Sequence, residues 1–201
     1  MSFQQPLTLH YAVFFKPYGV LSQFTREAKH RTLSDFGPFQ RDLYPVGRLD
    51  ADSEGLLLLT NDNTVKKRLT DPRFCHPRTY LVQVERVPAE AALEKLREGV
   101  VIQGRETKEA IVKLLEREPD LPPRPIPIRF RKTVPTAWIE VTLFEGRNRQ
   151  LRRMTAAVGH PALRLVRVAL GELTLAGLEP GGSRDLTREE IQRLRGDLKV
   201  G

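Results

Sequence analysis

The stretch PVGRLDADSEGLLLLTND, residues 45–62, decides how this chain is read. Asp50, Asp52, Glu54 and Asp62 surround four consecutive leucines, in a 201-residue chain whose formal net charge is +8. Residues 55–60 form a continuous apolar run of strand length, closed by the turn signal Asn61-Asp62-Asn63. Leu49 is expected to point into a core, with the charges on either side of it pointing outward.

Working outward, residues 11–23 read as a strand, a Lys-Pro-Tyr-Gly turn and a second short strand. One helical turn is expected within residues 32–37. A short helix is predicted over residues 64–70, capped by Asn63 or Thr64. Residues 79–87 alternate as a half-buried strand does. Residues 88–97 read as a helix with Pro88 at its start and Gly99 as its stop. Residues 100–103 and 107–116 are expected to be the two strands of a hairpin. Residues 118–127 hold five prolines and form a loop. A strand over 137–144, a helix over 147–158 ended by Gly159, strands over 163–170 and 172–175, and a capped helix over 187–194 complete the pattern. Many strands and few helices, without regular alternation, predict an α+β fold.

The acidic stretch admits several chemistries. Asp50, Asp52, Glu54 and Gly55 fit the opening of a calcium loop, but its twelfth position, counted from Asp50, is Asn61 instead of Glu. A carboxylate pair for sugar hydrolysis is a second reading, weakened by an aromatic content of 7%. For Asp52 and Glu54 the preferred reading is a solvated acidic turn ahead of a buried strand. A metal-dependent phosphotransferase using Asp50 and Asp52 is a further alternative.

The second informative stretch is FEGRNRQLRRMTAAVGH, residues 144–160. Arg149, Arg152 and Arg153 lie at i, i+3 and i+4 and share a helix face. Leu151, Met154, Ala157 and Val158 make the opposite, core-facing stripe. So dense an arginine cluster predicts an anion-facing site. Its arginines can grip phosphate from the outer edge, or one of them can turn inward to a carboxylate.

At this point the motifs become recognisable together. GRLDADSEGLLLLTND resembles the aspartate-bearing motif of pseudouridine synthases of the RsuA type, and EGRNRQLRRM their basic motif. KPYGVLSQ resembles the N-terminal Lys-Pro motif, and RTYLVQV the tyrosine-bearing strand. All four occur in family order between about residues 11 and 175, most similar to the RluE-like branch that modifies large-subunit ribosomal RNA. The resemblance implies the pseudouridine synthase catalytic fold: a mixed, mainly antiparallel sheet flanked by helices, with a central active-site cleft. It implies a single catalytic domain over residues 1–201, with two subdomains sharing one sheet as a variant, and no separate RNA-binding domain in front.

The implied activity is cofactor-free isomerisation of a uridine in ribosomal RNA, with no metal. Asp50 aligns with the essential aspartate, as nucleophile or as base. Arg152 aligns with the arginine that pairs with that aspartate, and Tyr80 with the tyrosine that packs on the uracil. Arg48 is expected to fill the gap left by a flipped base. Lys16, Arg147, Arg149 and Arg153 complete the expected RNA contacts. A non-catalytic RNA-binding or ribosome-assembly protein on the same fold is the alternative.

Bulk properties agree with a nucleic-acid partner. The excess of Lys and Arg favours a polyanion. A hydrophobic content of 40% fills a core. No apolar run is long enough to span a bilayer, no signal pattern appears, and the single Cys75 makes no disulfide framework. A cytoplasmic monomer without membrane association is expected.

Overall fold

In this computed structural model, residues 8–128 and 134–200 are described. The chain runs through β1 (Tyr11–Lys16), β2 (Val20–Leu21), β3 (Arg31–Thr32), a 3-10 turn (Leu33–Asp35), β4 (Tyr44–Pro45) and β5 (Glu54–Thr60). There follow α1 (Asn63–Thr70), β6 (Arg78–Glu85), α2 (Glu90–Glu98), β7 (Val101–Ile102), β8 (Arg105–Glu106) and β9 (Ala110–Leu114). The rest is β10 (Thr136–Leu143), α3 (Gln150–Ala157), β11 (Ala162–Leu170), β12 (Leu173–Thr174), β13 (Ser183–Asp185) and α4 (Arg188–Asp197). This is the expected α+β class.

The main sheet has the order β13-β1-β5-β11-β6-β10-β9, with β4 added to β5 and β12 to β11. Its pairings are antiparallel except at the centre, where β5 and β11 run parallel through Val166–Glu54 and Arg167–Gly55. Gly55 belongs there for a steric reason. Its φ is +111°, and a Cβ would sit 2.2 Å from the carbonyl oxygen of Arg167. No side chain fits between main chains that close.

The leucine run is apolar throughout because β5 is covered on both faces. Leu56 and Leu58 pack with Tyr11, Val13, Val65 and Leu69, under α1 and α4. Leu57 and Leu59 pack on the other face with Phe14, Leu33 and Leu43. Each fully buried leucine contributes about 1.5–3 kcal/mol. The other half of the sheet has its own core, in which Val82, Val84, Ile139 and Val141 meet Leu93 and Leu96 of α2 and Leu151 and Met154 of α3.

Several local expectations change. The cap of α1 is Asp62, whose Oδ1 accepts from Thr64 N and Val65 N at 2.9 and 3.1 Å. The expected hairpin is smaller: β7 pairs with β8 around a tight Gln103-Gly104 turn, and β9 instead joins β10 at the sheet edge. The first residue of α3 is Gln150, because Arg149 takes a left-handed conformation with φ 49°. On α3, Thr155 is buried where Ala157 was expected, and Ala157 is exposed.

Candidate active site

Asp50 sits in the loop between β4 and β5, just after Leu49, which is buried as expected. The loop turns tightly, with Ser53 N donating to Asp50 O at 3.0 Å. It feeds Glu54 and Gly55 into the parallel junction with β11. The acidic stretch therefore lies along the line where the two halves of the sheet meet.

Each acid meets an arginine from the opposite half. Arg149 donates through Nη1 and Nη2 to Asp52 Oδ1 and Oδ2 at 3.0 and 2.7 Å. Its Nη1 also lies 3.7 Å from Asp50 Oδ2. Arg152 Nε is 3.3 Å from Asp52 Oδ2, close enough for charge attraction but without hydrogen-bond geometry. Arg152 Nη2 donates to Asp52 O at 2.5 Å, and Nη1 to Ala162 O at 3.2 Å. Glu54 is fully inside, held by Arg164 through two 2.9 Å bonds. Burial pushes the Asp52 carboxyl up, but the Arg149 hydrogen bonds and the charges of Arg152 and Arg149 outweigh it and leave it below the ordinary aspartate range.

Asp50 opens onto a cleft of about 700 Å³. Tyr80 of β6, Arg48, Arg78, Arg149 and Arg167 share its lining. Arg167 is almost wholly buried; its Nε donates to Leu56 O at 2.7 Å and its Nη2 has no hydrogen-bond partner among the described residues. A carboxylate beside an aromatic ring, in a deep cleft ringed by guanidinium groups, suits an anionic polymer carrying a base to be held and a sugar to be attacked.

The sequence matches the family model for RNA pseudouridylate synthase over residues 10–157. This chain belongs to the RNA pseudouridylate synthase family. A Xanthomonas axonopodis pv. citri protein named ribosomal large subunit pseudouridine synthase E is 55% identical over 82% of this chain and 87% of its own. A Bacillus subtilis protein named ribosomal large subunit pseudouridine synthase B is 37% identical over 92% of this chain and 71% of its own. A crystal structure of a pseudouridylate synthase superposes with a TM-score of 0.78 at 29% identity, over 93% of this chain and 74% of that one. The RsuA-type, RluE-like resemblance and the pseudouridine synthase fold both stand on these relatives.

For a pseudouridylate synthase, the predicted site residues divide into two groups. Asp50, Tyr80, Arg48, Arg147 and Arg149 line one cleft. Arg152 and Arg153 do not line it, and neither does Lys16. Arg152 is ion-paired with Asp52 and feels Asp50 only as a weaker, more distant charge; the residue paired with both acids is Arg149, which was expected to contact RNA. Arg147 is a tether as well as a wall, donating to Ile102 O, Arg105 O and Glu106 O at 3.0–3.3 Å. Arg153 is half-buried, with Nη2 on Asn148 Oδ1 at 2.9 Å. Lys16 is fully buried, its Nζ spent on Pro17 O and Val20 O at 2.9 and 2.7 Å. Burial drags its pKa down to about 7 against the pull of Glu54, Asp52 and Asp50. Glu54 is buried and not part of a solvated turn, whereas Asp52 does sit in a partly exposed turn; the guanidinium partners of both already occupy the oxygens that a calcium loop would need.

Arg78, Arg164 and Arg167 were missed. The signal for the β11 pair was two arginines, three apart, inside the apolar strand LRLVRVAL; a charge in such a place needs a buried partner.

Proposed function

We propose that this chain isomerises a specific uridine of large-subunit ribosomal RNA to pseudouridine, with Asp50 as the catalytic carboxylate. The bond between C1′ and N1 of the uracil is exchanged for one between C1′ and C5. N1 gains a proton and C5 loses one, so the net change needs no cofactor. The observation that carries the reading is the position of Asp50: alone of the three clustered acids, it opens onto the cleft with no arginine in hydrogen-bond contact among the described residues. Arg149 Nη1 lies 3.7 Å away and leaves the carboxylate oxygens open to a substrate. Tyr80 supplies a ring against which the uracil can pack.

Arg48 stands exposed at the cleft lip, suited to occupy the space an extruded nucleotide leaves, and extrusion costs a few kcal/mol. Contacts from Arg48, Arg78 and Arg167 to phosphate or sugar offset that cost. The names of the related proteins support the large ribosomal subunit as the source of the RNA. The same reading takes the protein as one catalytic domain working as a monomer in the cytoplasm. Among the described residues no helix is long and apolar enough to cross a membrane.

The test is to incubate the protein with large-subunit ribosomal RNA lacking modification and map pseudouridine along it. One new pseudouridine, absent with Asp50→Asn, is expected. RNA bound tightly but left unmodified would overturn the proposal in favour of a non-catalytic assembly factor.

A further inference from the structure

The turn between β1 and β2 does more than reverse the chain. Lys16 closes it from inside, through its two bonds to Pro17 O and Val20 O. Gly19, at φ +79°, then presents its N–H outward and donates to Ala51 O at 2.7 Å. A few residues on, the hydroxyl of Ser22 meets the same loop from the other side. Ser22 Oγ accepts from Leu49 N at 3.0 Å and donates to Leu49 O at 2.9 Å. Leu49 and Ala51 are the two neighbours of Asp50. The backbone on both sides of the carboxylate is thus fastened to one turn, at three points.

A hydroxyl has one proton and accepting lone pairs, and Ser22 spends both capacities on a single residue. Ser22 is buried, so water does not readily replace it. Removing the hydroxyl leaves the N–H and C=O of Leu49 unsatisfied beside an apolar side chain. That penalty is met by local movement of the loop. Ser22 borders the cleft, but it is almost wholly buried and its hydroxyl is already spent: among the described residues its side-chain hydrogen bonds are both to Leu49, and none is to an arginine of the network.

We propose that Ser22 is a positioning residue for the isomerisation: with Gly19 N–H it holds residues 49–51 so that the Asp50 carboxylate meets the ribose, without itself touching RNA. The inference rests on the reading of Asp50 as the catalytic group. A displacement of about 1 Å at such a group costs on the order of a hundredfold in rate. Ser22 acts only through the loop, so its loss should appear in the chemical step and not in binding.

The experiment compares Ser22→Ala with the wild type in two measurements. Single-turnover rates with saturating enzyme on large-subunit RNA should fall roughly 10–100-fold, while the Kd for that RNA stays within about twofold. Amide exchange should show Leu49 N–H losing protection while the amides of β5 keep theirs. A rate within about threefold of wild type, or a Kd that weakens in step with the rate, overturns the proposal. Unchanged protection of Leu49 also overturns it, and that readout needs neither RNA nor turnover. Asp50→Asn run alongside separates the two ideas: if it still reacts, the reading of Asp50 fails, whereas the exchange result continues to report on the clamp alone.

Discussion

The half-sheet β13-β1-β5 and the half-sheet β11-β6-β10-β9 are charged in opposite senses where they meet. The first brings Asp50, Asp52 and Glu54 to the junction; the second, with α3, brings Arg149, Arg152, Arg164 and Arg167. The acids are treated unequally along the line. Glu54, 3% exposed, is sealed by a fully desolvated arginine. Asp52, 33% exposed, is gripped by two. Asp50, 36% exposed, has one arginine at arm's length. Pairing strength falls from the sheet interior to the cleft, so the acid proposed for the chemistry is the one least held. Net charge alone conceals this division.

The comparison is broken most severely at its two extremes. Asp50→Asn should reduce pseudouridine formation by at least 10²–10⁴-fold, about what a positioned acid-base group supplies, while melting stays within a few degrees of wild type. Mapping the product by reverse transcription and scanning calorimetry check both halves; a mutant with a tenth of wild-type turnover refutes the assignment. Arg164→Ala should do the reverse in kind, leaving Glu54 buried and unpaired at a cost of about 3–5 kcal/mol in urea unfolding. Pairing it with Glu54→Gln should recover part of that loss; no recovery means that the pair is not what Arg164 supports.

Arg149 and Arg152 sharpen the middle of the gradient. Arg149→Ala removes the one guanidinium that, among the described residues, is ion-paired with both Asp50 and Asp52, so kcat should fall about tenfold, with no more than about 1 kcal/mol lost from so exposed a pair. Arg152→Ala should cost more stability than Arg149→Ala, because Arg152 is mostly buried and ties the Asp52 backbone to Ala162. The opposite ranking would restore Arg152 as the partner of Asp50.

The last effect leaves the acids untouched and concerns Lys16. Its folded pKa of about 7 lies below the ordinary 10.5, so between these values the unfolded chain binds a proton that the folded chain does not. Stability from this group is therefore lowest below pH 7 and rises as pH climbs toward 10.5. Urea unfolding at pH 7, 8 and 9 should show that rise in the wild type, and Lys16→Met should flatten it. Equal slopes would mean that Lys16 stays charged in the fold.

What the sequence disclosed, and what it withheld, follows from the range of each interaction. The leucine strand, the Asp50 loop, the Tyr80 strand and the capping box of α4, with Thr187 and Glu190, are written in residues close together. The arginine partners are not: 97 positions separate Asp52 from Arg149, and 110 separate Glu54 from Arg164. Helical spacing showed that Arg149, Arg152 and Arg153 share a face but could not say which meets an acid. The left-handed turn at Arg149, which aims that side chain, has no signature in so basic a segment. Strand β13 escaped notice because Ser183-Arg184-Asp185 has no apolar alternation; it is an edge strand held to β1 by backbone bonds.

The bare backbone of Gly55 has a consequence for the dimensions of the site. Asp50 travels with one half of the sheet and Tyr80 and Arg149 with the other, so the gap between acid and aromatic ring is measured from where β5 touches β11. That contact is two residue pairs long, and at one of them the main chains approach too closely for a methyl group. Glycine at position 55 therefore acts as a gauge block. Its missing side chain fixes the bore of a cleft whose walls lie elsewhere, and any larger residue would be read out as a looser active site before it was read out as a weaker sheet.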